Sequence, residues 1–182
     1  MNVTPDLDAR FRSAAVREGL VDVRFDILDS PVGDLFVAAT ERGLARISYH
    51  PEGMEDVLAR SYGVRVLRSP LDEVRRELNE YFEGRRRVFD LPLDLRVAPF
   101  HADVLRELAL VPYGRTETYG ALAARAGRPG AARAVGTVMN RNPIPIVLPC
   151  HRIVGANGSL TGYAGGLDVK RRLLQIEGAM LL

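Results

Sequence analysis

One cysteine is present in 182 residues. No internal disulfide can form, so Cys150 keeps a free thiol, which fits a reducing compartment; the cytoplasm is the expected location. Histidine is nearly as scarce, with only His50, His101 and His151. One thiol and three imidazoles argue against a cysteine-rich zinc site, and no metal is expected. Lysine occurs once, as Lys170. No apolar run approaches the length needed to span a bilayer, so no membrane association is expected. Residues 1–20 carry Asp6, Asp8, Arg10, Arg12, Arg17 and Glu18 and contain no apolar stretch of the kind found in secretory signals. No internal repeat or low-complexity tract is evident.

Hydrophobic residues make up 47% of the chain, enough to bury a core in one domain or in two small ones. The net charge of +2 hides an asymmetry. Residues 1–100 hold 15 Arg against 18 Asp and Glu, a net of −3. Residues 101–182 hold 9 Arg and Lys170 against 5 acids, a net of +5. A basic half suits contact with phosphates.

Periodicity divides the chain the same way. A short amphipathic helix is expected over Leu7–Val16. Strict alternation from Val21 to Leu28 predicts a half-buried strand. Apolar runs at Leu35–Thr40 and Leu44–Tyr49, joined by Glu41-Arg42-Gly43, predict a hairpin. Ser69-Pro70 reads as a helix start, with Leu71, Val74, Leu78, Tyr81 and Phe82 on one face and Gly84 at the end. Val88–Leu91 reads as a further strand. These elements make residues 1–92 an α+β domain, and Pro92–Pro99 reads as a linker. Residues 98–182 form the second domain. Pro99 opens its first helix. Helices over Tyr119–Ala126 and Ala131–Asn140 flank a turn at Gly127–Gly130, which is the helix-turn-helix pattern. Asn142-Pro143 and Pro145 stop the second of these helices. Gly155–Gly166 is a glycine-rich loop with an exposed-looking Tyr163, and a helix over Val169–Glu177 closes the chain.

Pro149-Cys150-His151-Arg152 carries the candidate chemistry. A thiol is a weak nucleophile until it loses its proton, which an imidazole can accept, and a nearby guanidinium favours the thiolate. In isolation a lone cysteine is more often a small buried hydrophobe, and a lone histidine is more often structural.

The context is longer than the tetrapeptide. It comprises Val111-Pro112-Tyr113-Gly114, Thr118-Tyr119-Gly120-Ala121-Leu122-Ala123, Ala132-Arg133-Ala134-Val135-Gly136, Asn142-Pro143-Ile144-Pro145, Leu148-Pro149-Cys150-His151-Arg152-Ile153, Gly158, Gly162-Tyr163-Ala164-Gly165-Gly166, Lys170, Leu173-Leu174 and Glu177-Gly178. This ordered set, spanning over a third of the chain, resembles the O6-alkylguanine-DNA alkyltransferases (methylated-DNA–protein-cysteine methyltransferases). The resemblance implies a ribonuclease H-like α/β N-terminal domain with a small antiparallel sheet. It also implies a mostly helical, winged helix-turn-helix C-terminal domain. The implied activity is DNA repair by direct damage reversal, with the alkyl group of O6-alkylguanine, or O4-alkylthymine, passing irreversibly to Cys150. One transfer spends the molecule, and no cofactor is needed.

The resemblance also assigns roles. His151 takes the Cys150 proton through a water and Glu177 orients the imidazole. Tyr119 assists the leaving base, and Lys170 lies near the active site. Tyr119, Met139, Asn142, Ile153, Leu160, Tyr163, Ala164 and Gly165 form the base pocket, with Ala164 standing where many members have serine. Double-stranded DNA is the partner, entered from the minor groove. Arg133 fills the gap left by the flipped base, and Ala132, Ala134 and Gly136 permit close approach. Thr118, Arg128, Arg141 and Arg152 complete the DNA contacts. No obligate protein partner is evident, and a monomer is expected. Three competing readings are a non-catalytic lesion sensor, a helix-turn-helix regulator and a cysteine hydrolase.

Overall fold

Alternating side chains build a four-stranded sheet in the N-terminal half. The computed structural model describes residues 5–63 and 65–179. A leading helix, α1 (Pro5–Arg17), precedes β1 (Val23–Leu28), β2 (Leu35–Thr40) and β3 (Gly43–Ser48). Then follow α2 (Met54–Tyr62), β4 (Val66–Arg68) and α3 (Asp72–Phe82). The strand order is β3-β2-β1-β4. β1 and β3 run antiparallel to β2, with Phe25 opposite Ala38, Ile27 opposite Phe36 and a register shift between Ala38 and Ala39. β4 runs parallel to β1. The sheet is therefore mixed rather than wholly antiparallel, because α2 separates β3 from β4 and returns the chain in the direction of β1.

The two faces of the sheet have different tasks. Val23, Phe25, Phe36 and Ala38 pack with Leu58 of α2, and the Phe25 and Phe36 rings stack at 5.2 Å. Leu28, Leu35, Val37 and Ala39 join a second, larger core that runs through α3 into the C-terminal half.

Two local expectations give way. Ser69 does not cap α3, which begins at Asp72 without a side-chain cap; its N–H instead donates to Phe25 O at 2.9 Å, prolonging the β1–β4 ladder. Val88–Leu91 forms no strand. Phe89 and Leu91 pack on the core without laddering. The next residues bond to β3, with Leu44 N–H donating to Pro92 O and Asp94 N–H to Leu44 O.

The C-terminal half holds α4 (Pro99–Ala109), β5 (Glu117–Thr118), α5 (Tyr119–Arg125), α6 (Ala132–Asn140), β6 (Ile153–Val154) and α7 (Leu167–Ile176). Pro99 occupies the start of α4 as expected. Thr118 caps α5 by accepting from Ala121 N–H. Leu105, Leu108, Leu122, Val135, Val138 and Leu173 belong to the same core cluster as Val37 and Leu78. β5 and β6 pair in parallel, Glu117 with Ile153 and Thr118 with Val154. That pairing brings the start of the helix-turn-helix beside the Cys150 segment, although they are far apart in sequence. Among the described residues no helix is long and apolar enough to cross a membrane.

Candidate active site

Cys150 lies on a turn built by its proline-rich approach. Pro149, at φ −82 and ψ 61, is the centre of an inverse γ-turn closed by Cys150 N–H donating to Leu148 O at 2.8 Å. A single 3-10 turn, Cys150–Arg152, follows and runs directly into β6. Asn142 braces the approach: its amide donates to Leu148 O at 2.8 Å, and its carbonyl accepts from Ile144 N–H at 3.1 Å. Within this braced loop the buried Ile146 sits at φ +75, a region that β-branched residues avoid. The N-terminal sheet holds the same loop, through Ile47 N–H donating to Pro143 O at 2.9 Å.

Glu177 is the hub of the site. It is the C-cap of α7, where the helix dipole disfavours a carboxylate. Five donor contacts offset that cost. Oε1 accepts from Tyr81 Oη at 2.8 Å, His151 Nε2 at 2.8 Å and Arg152 Nη2 at 2.9 Å. Oε2 accepts from Arg152 Nε at 2.9 Å and Gly114 N–H at 3.1 Å. Burial pushes the Glu177 carboxyl up, but hydrogen bonds from His151 and Arg152 outweigh it and hold the group at about 2. Gly114 must be glycine: its φ is +73, and a Cβ would stand 2.9 Å from Glu177 O. Tyr113 adds a hydrogen bond from its hydroxyl to Ile176 O.

The ionised Glu177 fixes the histidine tautomer. A carboxylate only accepts, so His151 Nε2 carries the proton and Nδ1 carries the lone pair. Nδ1 is buried and has no hydrogen-bond partner among the described residues. Burial also lowers the His151 pKa, so the ring is neutral and able to accept a proton. The beginnings of a nucleophile–base–orienter chain are thus in place.

The thiol is 2% exposed. Burial pushes its pKa up, opposed by the side chains of Asn142 and Tyr163, by the Lys170 charge and by the backbone. The neutral thiol is therefore the resting form, and a base is needed. Lys170 is fully buried, contrary to the usual fate of a helix lysine, and its ammonium donates to Ile153 O at 2.5 Å and Thr161 O at 3.3 Å. It pins the glycine-rich loop to β6; burial pulls its own pKa down, and the Cys150 charge opposes that. Tyr163 is not exposed as its neighbours suggested. It packs against Tyr49 with hydroxyl oxygens 2.6 Å apart.

A cleft of about 500 Å³ lies beside this cluster, lined by Tyr119, Arg133, Gly136 and Thr161 among others. Thr161 donates to the Tyr119 hydroxyl at 3.0 Å, and the Tyr119 ring lies beside Gly136 of α6, where even an added Cβ would make only ordinary contact at 3.9 Å. Arg133 and Ala134 are exposed on α6, Ala132 is half-buried beside them, and Arg128 and Arg141 are exposed at either end. Thr118 lines the same cleft while capping α5.

Two expected contacts fall elsewhere. Arg152 is 6% exposed and its fork lies on Glu177, with Nη1 on Val111 O, so it does not face DNA. Met139 is buried in the core beneath α6 rather than in the cleft wall, because it falls on the inward face with Val135 and Val138. Ile153 is buried with its carbonyl accepting from Lys170, Leu160 is half-buried, Ala164 is exposed, and Gly165 abuts the Tyr49 ring. Tyr81 and Tyr49 are the residues that sequence reasoning did not place in the site. Tyr81 was legible only as one member of an apolar helix face.

Comparison with known proteins finds relatives along both halves of the chain. Residues 23–95 match the 6-O-methylguanine DNA methyltransferase ribonuclease-like domain, and residues 99–179 match the DNA-binding domain of the same family. A methylated-DNA–protein-cysteine methyltransferase of Methanosarcina acetivorans is 41% identical over 155 residues, covering 85% of this chain and 98% of that one. A protein of the same name from Mycolicibacterium paratuberculosis is 42% identical, covering 85% and 92%. The crystal structure of Mycobacterium tuberculosis OGT in complex with DNA superposes with a TM-score of 0.77 at 39% identity, covering 86% of this chain and 93% of that one.

Proposed function

The chain belongs to the O6-methylguanine-DNA methyltransferase family, and from that premise we propose that it repairs alkylated DNA by moving the alkyl group of O6-alkylguanine onto Cys150 Sγ. The observation that carries this reading is the buried Glu177–His151 pair, which leaves Nδ1, on the residue next to the lone cysteine, as a base with no hydrogen-bond partner among the described residues.

The thiol proton passes to His151 Nδ1 through a bridging water, and Glu177 stabilises the imidazolium. The thiolate attacks the alkyl carbon, a C–S bond forms and the C–O6 bond breaks. The electron pair of that bond goes to guanine, whose ring takes up one proton, so the net transfer exchanges an alkyl group for the thiol hydrogen. Tyr119 hydrogen-bonds the departing base. A thioether is not hydrolysed under physiological conditions, so each molecule acts once. Flipping the base costs a few kcal/mol, and Arg133 on α6 fills the space it leaves. Ala132, Ala134 and Gly136 allow the helix to approach the minor groove. Residues 1–92 serve as the scaffold and 98–182 as the reactive unit. The free thiol supports a cytoplasmic setting.

Intact-protein mass after mixing with excess duplex carrying one O6-methylguanine tests the reading. The expected result is a gain of one methyl per molecule, located on Cys150 and absent in Cys150→Ala. Tight binding of the damaged duplex with no gain in mass would leave a lesion sensor.

A further inference from the structure

The N-terminal half reaches the sulfur side of the site through one residue. We propose that Tyr49 is a positioning residue for the Cys150 thiolate: its hydroxyl donates to Tyr163 and so directs the single Tyr163 hydroxyl hydrogen onto the sulfur. This deepens the alkyl-transfer reading and rests on it.

Tyr49 follows β3 immediately, where Ile47 is tied to the Pro143 carbonyl of the loop leading to Cys150. Its ring lies 5.7 Å from that of Tyr163, and their oxygens are 2.6 Å apart. The opposing loop accommodates the ring with a glycine: a Cβ at Gly165 would come within 2.7 Å of a Tyr49 ring carbon. Ring and loop are therefore fitted to one another.

A phenylalanine would fill the same volume, so the hydroxyl is what needs an account. Each phenol has one hydrogen. Among the described residues, the Tyr49 hydroxyl bonds only to Tyr163, whereas Tyr163 also faces the Cys150 sulfur. Only one orientation serves both contacts when sulfur is ionised. Tyr163 donates to the thiolate, and its oxygen accepts from Tyr49. The reverse orientation would turn the Tyr163 hydrogen away from the charge. An anion at one end of such a chain also polarises it, strengthening each link. Burial first, and the Cys150 charge among the further causes, push both phenols above their ordinary values, so both remain donors at neutral pH.

The test uses the full chain, with the isotope-labelled Cβ of its single cysteine followed by NMR across pH. Methyl transfer from O6-methylguanine duplex is measured in parallel. Tyr49→Phe is expected to move Cys150 ionisation to higher pH. It should slow transfer at neutral pH by about two- to tenfold, the net worth of one hydrogen bond, without weakening duplex binding. In a Tyr163→Phe background the same change should shift ionisation no further, because the link it acts through is gone. An unmoved or lowered ionisation in Tyr49→Phe would overturn the proposal, as would an equal shift in both backgrounds. The titration needs no DNA. If the unaltered protein transfers no methyl, the alkyl-transfer reading fails, while the ionisation curves still decide whether Tyr49 acts on the thiol.

Discussion

The arginines of the two halves are used differently. In the N-terminal half, Arg12 lies on Asp8, Arg65 on Asp22 and Arg75 on Asp26, while Arg86 faces Glu77 and Glu80 and Arg96 lies on Asp94. Around the helix-turn-helix, Arg128, Arg133 and Arg141 are exposed, and none has a carboxylate partner among the described residues. Arg125 is the exception there, held between Glu107 and Glu117. The net charges of −3 and +5 therefore understate the contrast. Carboxylates hold most arginines of the first half, although Arg24, Arg46, Arg60 and Arg87 have no carboxylate partner among the described residues, whereas the helix-turn-helix keeps free cations, with Arg133 on the cleft itself. Arg152 is a third kind, a buried cation whose partner belongs to the chemistry.

The sharpest way to break the comparison is at Arg152's partner. Glu177→Gln keeps the shape but removes the charge that stabilises the imidazolium and replaces one of two acceptor oxygens with an NH2 donor, so the carboxylate no longer fixes the His151 tautomer. Methyl transfer should fall by about 10²–10⁴-fold, the usual contribution of a positioned general base. Affinity for undamaged duplex, measured by fluorescence anisotropy, should not change, because no free arginine has been touched. A rate within threefold of the unaltered protein would remove Glu177 from the mechanism. The same carboxylate sets an acid limit. Its folded pKa, about 2, is below the ordinary 4.5, so its contribution to stability is full above pH 4.5 and is lost as pH falls toward 2. Burial of a neutral His151 acts in the same direction, costing stability as pH falls below 6.5. Acid unfolding followed by circular dichroism should be less steep in Glu177→Gln over the lower window.

Comparing the buried and the free cation directly gives the next largest effect. Arg152→Met leaves Glu177 at a helix C-terminus without its permanent counter-charge. Stability in urea should drop by about 3–5 kcal/mol, as for other buried pairs broken on one side. Arg133→Ala should leave stability within about 0.5 kcal/mol, since the side chain is exposed and unpaired. It should instead slow transfer from duplex by about tenfold or more, in line with the few kcal/mol that extrusion costs, while transfer from the free alkylated base stays the same. Equal effects on the two substrates would mean that Arg133 does not assist extrusion.

How much of this was legible depended on how local the signal was. The helix-turn-helix was read to within a residue or so, because its glycine turn and its proline stop both lie inside the segment. The β1–β3 meander was legible for the same reason. β4 has only three residues and shows no period of its own, so both it and the α2 crossover before it were missed. Val88–Leu91 looked like a strand because apolar residues pack on a core whether or not they ladder. Cys150, His151 and Glu177 came from the motif set, but their geometry did not. Tyr81 and Glu177 are 96 residues apart, and Tyr49 and Tyr163 are 114 apart. No window of sequence holds both members of either pair. Glycines around Tyr163 suggested exposure, whereas the loop they form folds back onto the N-terminal sheet.

The smallest expected effect tests whether unpaired charge, rather than charge count, is what meets DNA. Each phosphate contact that a cation makes on duplex DNA adds about 0.9 to the slope of log affinity against log salt. Arg128→Ala and Arg141→Ala should each lower that slope by about one, uniformly across sequences and with little change in stability. Arg75→Ala removes the same formal charge, but that guanidinium already lies on Asp26 at 2.7 Å. Its removal uncovers a carboxylate in the other half of the molecule and should leave the slope unaltered. A titration of binding against salt for the three variants separates the two ideas. If Arg75→Ala lowers the slope as much as Arg128→Ala, net charge governs the encounter and the pairing pattern is irrelevant to it. If only the helix-turn-helix variants respond, the acids of the N-terminal half act to keep its arginines from competing for DNA.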